Sequence, residues 1–131
     1  QPVRVIVADD HELARLTLAI FFETTGGFDL VGQARDGREA VALCLTACPD
    51  VVMMDLNMPT MNGVAATRAI TELCPAVRVV VLSSEHDEHL LPAALQAGAA
   101  GYINRDISIE ELAATVRKIA TRKHDAVPRT L

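Results

Sequence analysis

Tryptophan is absent from this 131-residue chain, and its aromatic residues are only Phe21, Phe22, Phe28 and Tyr102. So sparse a set excludes an aromatic stacking platform for single-stranded nucleic acid. Basic charge is also scarce: 12 Lys and Arg stand against 17 Asp and Glu, a net charge of −5, which suits neither DNA nor RNA backbones. Cys44, Cys48 and Cys74 contain no C-x-x-C, so there is no disulfide framework, and reduced thiols in a cytoplasmic protein are expected. No apolar run approaches the ~18–20 residues of a membrane span, so no membrane partner is expected. No G-x-G-x-x-G follows the first β-branched run, which argues against a dinucleotide-binding unit. The chain does have apolar mass: 50% of its residues are hydrophobic and 22% charged, enough for one domain core without metals or disulfides.

That apolar mass alternates between two patterns. Short β-branched runs occur at Val3–Val7, Phe28–Val31, Val51–Met54, Val77–Leu82 and Gly101–Ile103. Between them lie stretches with helical spacing: Leu13, Leu16, Ile20; Ala40, Val41, Cys44, Leu45; Ala66, Ala69, Ile70, Leu73; Leu90, Leu91, Ala94, Leu95; and Leu112, Thr115, Val116, Ile119. Asp36 stands as a cap before a helix starting near Gly37, and Ser108 with Glu111 forms a capping box before the last helix. Pro75 and Gly98 close the third and fourth helices. Five β-then-α units predict an α/β fold, a flavodoxin-like (βα)5 doubly wound parallel sheet in the order 2-1-3-4-5. The domain is expected over 1–120. Residues 121–131 are basic and non-periodic and read as a linker or tail. A start at Gln1 and a stop in that tail suggest a piece of a longer protein.

In such a sheet the carboxyl ends of the strands share one edge, where the site is expected. The first strand ends in Asp9-Asp10, the third in Asp55 and the fourth in Ser83-Ser84; Arg105 follows the fifth. Like charges ~4 Å apart repel by ~4 kcal/mol at an effective dielectric of ~20, so the acids need a cation to stay ionised together. Oxygen ligands with water completing the shell suit Mg²⁺. An accessible Asp55 beside that ion makes a nucleophile for phosphorus, and the Ser83 hydroxyl can bond the phosphoryl group afterwards. A lone Asp at a strand end is usually a turn or cap residue; it is the conjunction of these groups that points to phosphoryl chemistry.

Four motifs carry a resemblance: Val7-Ala8-Asp9-Asp10-His11-Glu12; Met54-Asp55-Leu56-Asn57-Met58-Pro59 through Gly63; Val81-Leu82-Ser83-Ser84; and Gln96-Ala97-Gly98-Ala99-Ala100-Gly101-Tyr102. From residue 3 to about 120 the chain resembles the receiver domain of two-component response regulators, in the LuxR-type (NarL/FixJ) branch. The resemblance implies that Asp55 accepts a phosphoryl group from a sensor histidine kinase. It also implies that Asp10 and Asp55 ligate Mg²⁺ directly, that Asp9 helps through water, and that the Asn57 backbone carbonyl completes the protein ligands. Ser83 becomes the switch hydroxyl and Tyr102 the switch aromatic, the alternative for Tyr102 being plain core packing. The first helix and the loops near the acids become the kinase-docking face. Output on transcription would run through a helix-turn-helix domain beyond this chain, which would carry all DNA contact; a homodimer is possible. Enzymatic action would be limited to the domain's own phosphorylation and dephosphorylation.

The family pattern has Lys where this chain has Arg105. Arg keeps the charge but offers a planar fork in place of a compact ammonium. Three geometries are open: a bidentate grip on the phosphoryl group, pairing with Asp55 or Asp106 that weakens the switch, or exposure to solvent. Arg105 also supports a rival reading, a phosphorylation-independent interaction or dimerisation module. An aspartyl-phosphate phosphatase is disfavoured, because Asn57 stands where that chemistry wants an acid. Asn57 and Glu85 flank the family's path for hydrolytic water, and fast self-dephosphorylation is expected from them. Lesser features have plainer readings: Cys44 and Cys48 as buried apolar residues, His11 as an exposed loop residue, Pro59 as a loop stiffener, and Gly63 as the positive φ of the loop entering the third helix. His86 and His89 read as the solvated start of the fourth helix, with Glu85–Glu88 as its first turn.

Overall fold

The structure is a computed structural model and describes residues 1–122. Five strands, β1 (Val3–Ala8), β2 (Phe28–Ala34), β3 (Val51–Asp55), β4 (Arg78–Ser83) and β5 (Gly101–Asn104), form one parallel sheet in the order β2-β1-β3-β4-β5. Between and after them run α1 (Glu12–Thr24), α2 (Gly37–Ala47), α3 (Gly63–Leu73), α4 (Leu91–Gln96) and α5 (Ile109–Thr121). The alternation read in the sequence is therefore the architecture. Strand side chains split by the period of two: Ile6, Val52, Met54, Val79 and Val81 pack with Ala40 and Cys44 of α2, Ala66 and Ile70 of α3 and Ala94 of α4. Val5, Val7, Val51, Met53, Val80 and Leu82 pack on the other face with Phe22 of α1 and Leu112, Val116 and Ile119 of α5. Every residue of β3 is buried, as expected for a strand covered on both faces. Among the described residues no helix is long and apolar enough to cross a membrane.

The predicted caps form. Asp36 Oδ1 accepts the Glu39 N–H at 2.9 Å, and Ser108 Oγ accepts the Glu111 N–H at 3.2 Å. The Glu111 carboxylate meets the Ser108 hydroxyl at 3.4 Å, not the backbone N–H that a full capping box would engage. Gly98 has φ +114°, a left-handed stop just past α4.

Several expectations are corrected. The Leu13, Leu16, Ile20 stripe does not face the core: these residues are 81%, 40% and 59% exposed, while Arg15, Ala19 and Phe22 are buried. Leu45, Leu73 and Leu95 are also exposed. β2 runs on to Ala34, its register with β1 shifting at Val5/Ile6. Glu85–Glu88 is not a helical first turn; a turn and a 3₁₀ segment at Glu88–Leu90 precede α4, so His86 lies on a loop. Cys44 is buried, but Cys48 is exposed in the left-handed C-cap of α2, φ 46°. Gly63 has no positive φ; Thr60 holds it, at 67°. Gly63 is required for space, because a Cβ there would sit 2.2 Å from the Asp55 carbonyl oxygen. α5 runs to Thr121, and residues 123–131 of the expected linker or tail lie outside the described residues.

Candidate functional site

The β1–β3 register, Ala8 opposite Met54, brings Asp9 and Asp55 side by side where the two strands end. The Asp9 N–H bonds to the Ala34 carbonyl at 3.0 Å, and the buried Arg15 guanidinium donates to the Asp9 carbonyl at 3.2 Å. Helix α1 turns Arg15 inward beneath the site on the same face as Ala19 and the core residue Phe22, and its Leu13, Leu16, Ile20 stripe faces out. Across the sheet, Arg105 N–H bonds to the Ser83 carbonyl at 2.9 Å, fixing the chain as it leaves β5. From there one guanidinium nitrogen, Nη2, reaches Asp55 Oδ1 at 3.0 Å and Asp9 Oδ2 at 3.1 Å. Of the geometries open to Arg105, the side chain takes carboxylate pairing, with Asp55 and Asp9 and not with Asp106 or solvent alone.

Asp55 is not the exposed carboxylate expected from the sequence; it is 3% exposed. Its second oxygen, Oδ2, is buried and has no hydrogen-bond partner. Burial, then the negative charge of Asp9, push its pKa up to about 6; Arg105 and the Asn57 backbone N–H act the other way. A cavity of about 450 Å³ opens over it, lined by Asp9, His11, Asn57, His86, Asp87 and Arg105 among others. Its far wall is a closed turn: Asp87 Oδ1 accepts the Ser84 N–H at 2.7 Å.

Other anticipated residues lie differently. Ser83 is buried at the end of β4, and Ser84 lines the cavity in its place. Glu85 lines an adjoining space of about 330 Å³ that shares Ser84, His86 and Arg105 with the cavity over Asp55. Tyr102 does not pack in the core; it pairs across β4 with Val81 and is 55% exposed. His11 is exposed, as expected, with its side chain 73% accessible, and its Nδ1 lies 3.2 Å from Asp10 Oδ1 and 3.3 Å from Asp9 Oδ1. Its place directly after the acid pair was the signal for that proximity. One ligand atom from each of Asp9, Asp10, His11 and Asp55 fits within 4.8 Å of all the others. Three carboxylates with an orphaned buried oxygen suit a hard divalent cation.

Comparison with known proteins agrees with this geometry. The response regulator receiver domain family matches residues 5–117. This chain belongs to that family. Receiver domains are signalling domains and not classical enzymes, and those of response regulators interact with sensor histidine kinases. The receiver is 40% identical over 114 residues to the uncharacterized transcriptional regulatory protein YhcZ of Bacillus subtilis, covering 86% of this chain and 53% of that one. It is 38% identical over 118 residues to the response regulator UvrY of Escherichia coli, covering 89% and 54%. The chain thus spans about half the length of these curated relatives. Among solved structures, the signal receiver domain of the putative response regulator NarL from Mycobacterium tuberculosis superimposes with a TM-score of 0.87 at 32% identity, covering 94% of this chain and 99% of that one.

Proposed function

We propose that this receiver accepts a phosphoryl group on Asp55 from the phosphohistidine of a sensor histidine kinase. The observation that carries the reading is Asp55, which lines a polar cavity and keeps one buried carboxylate oxygen, Oδ2, without a partner. Mg²⁺ would be held by Asp10, Asp55 and the Asn57 backbone carbonyl, with Asp9 alongside. When bound, the ion supplies positive charge against the phosphoryl oxygens. An Asp55 oxygen attacks phosphorus, the P–N bond of the donor breaks, and the imidazole leaves, giving an acyl phosphate. Arg105, which bonds Asp55, would carry its charge onto the phosphoryl oxygens; its fork suits a bidentate grip. Ser83 then turns its hydroxyl toward the new charge and Tyr102 moves inward from its exposed position, a local charge event biasing a two-state packed element. Asn57 and Glu85 govern the lifetime of the phosphoryl group.

In the longer protein we infer a cytoplasmic regulator of transcription. DNA contact would lie in a further domain, and phosphorylation would control pairing of two copies. The test is intact mass after incubation with acetyl phosphate and Mg²⁺, beside Asp55→Ala. The expected result is one added phosphoryl group, lost in the variant and in excess chelator. No adduct at any time point would overturn the reading in favour of a phosphorylation-independent module.

A further inference from the structure

His11 occupies the N-cap of α1, yet its side chain makes no capping hydrogen bond to the helix. The imidazole turns instead to the acids, with Nδ1 3.2 Å from Asp10 Oδ1 and 3.3 Å from Asp9 Oδ1. One ring nitrogen carries at most one proton, and one N–H cannot point well at both oxygens. A divalent ion can be shared by all three atoms. With metal–ligand bonds of about 2.1 Å, neighbouring donors lie about 3.0 Å apart in an octahedron and about 3.4 Å apart in a tetrahedron, and both observed separations fall within that range. A second observation points the same way: Asp55, a member of the same donor group with a side chain only 5% exposed, keeps one buried oxygen, Oδ2, without a partner.

We propose that His11 is a fourth protein donor of this cation site, making it a mixed oxygen and nitrogen site that selects first-row transition ions over Mg²⁺. Imidazole suits Ni²⁺, Cu²⁺ and Zn²⁺, whereas Mg²⁺ takes oxygen and keeps its waters. The inference rests on the cation reading of the acid cluster given above. It adds a specificity-determining residue to that reading: the metal occupying the domain depends on which ions surround it, not on Mg²⁺ alone.

The test is calorimetric titration of the chain with Mg²⁺ and with Ni²⁺, each alone and in competition. Wild type is compared with His11→Ala and His11→Asn; Asn is a favoured N-cap and offers a hard oxygen in place of the imidazole. The expected result is Ni²⁺ binding tighter than Mg²⁺ binding, with Ni²⁺ displaced only by a large excess of Mg²⁺. Ni²⁺ affinity should fall about tenfold in both variants, while Mg²⁺ affinity changes less than about twofold. Parallel loss of both ions in His11→Ala would make His11 a structural residue and overturn the proposal. Ni²⁺ affinity unchanged in the variants, or Ni²⁺ that Mg²⁺ cannot displace, would overturn it too. Absence of Mg²⁺ binding to wild type would overturn the underlying cation reading as well, which separates the two failures.

Discussion

Arg105 Nη2 lies 3.0 Å from Asp55 Oδ1 and 3.1 Å from Asp9 Oδ2, so one nitrogen compensates both buried carboxylates. The guanidinium therefore competes with any divalent ion for the same charge. Without such an ion, Arg105→Ala should destabilise the fold by roughly 1–3 kcal/mol; the 3–5 kcal/mol of a fully buried pair is an upper bound because Arg105 is partly exposed. Mg²⁺ should then stabilise the variant more than the wild type. Urea unfolding with and without Mg²⁺ measures both effects, and equal Mg²⁺ increments in the two proteins would contradict the competition.

Asp55 also sets a pH dependence. Its pKa is raised from 3.8 to about 6, so the folded state binds this proton more tightly than the unfolded chain does. Its contribution to stability is thus fully present below about 3.8 and is lost as pH rises through about 6. In chelator, Asp55→Asn should remove a fall in melting temperature between about pH 4 and pH 6.5. The same pH dependence of melting temperature in wild type and Asp55→Asn would contradict the assignment.

Gly63 and Thr60 offer a backbone test. Gly63→Ala forces a Cβ to 2.2 Å from the Asp55 carbonyl, which only a backbone shift can relieve, and should cost about 2–3 kcal/mol or more. Thr60→Gly relieves a φ of 67° and should stabilise by about 0.5–1 kcal/mol. Denaturant midpoints decide both, and a neutral Gly63→Ala would refute the close approach.

Asn57 lines the cavity over Asp55, where a carboxamide can orient water. Asn57→Arg should lengthen the lifetime of the phosphorylated form severalfold, followed by decay of the phosphorylated mass. Glu85 lines the adjoining space and not the cavity over Asp55, so Glu85→Ala should act more weakly. An unchanged lifetime in Asn57→Arg would remove Asn57 from this role.

The outward stripe of α1 separates folding from docking. Leu13→Gln and Ile20→Gln alter exposed side chains and should change stability by no more than about 0.5 kcal/mol. If α1 is the kinase-docking face, the same variants should slow phosphotransfer from a histidine kinase and leave labelling by acetyl phosphate intact. Loss of both reactions would place the effect in the site and not in docking.

By itself the sequence determined the layout. Apolar runs with a period of two separated by runs with helical spacing left little freedom but a doubly wound parallel sheet, and strand ends carrying Asp9, Asp10, Asp55 and Ser83 had to share one edge of it. Asp36 and Ser108 were legible because a cap acts within four residues. The rest depends on contacts distant in sequence. The sequence of α1 carries two apolar stripes, and the structure buries Ala19 and Phe22, with Leu18 and Phe21 against the same core and Arg15 reaching the Asp9 carbonyl, in place of Leu13, Leu16 and Ile20. The reason for Gly63 is the backbone of β3 pressed against it, not its own φ. The partners of Arg105 follow from strand register, since its anchoring bond to Ser83 spans two neighbouring strands. The depth of Asp55 and the turn of His11 toward the acids likewise arise where separate strand ends converge, because burial and charge are properties of the assembled edge and of no single segment.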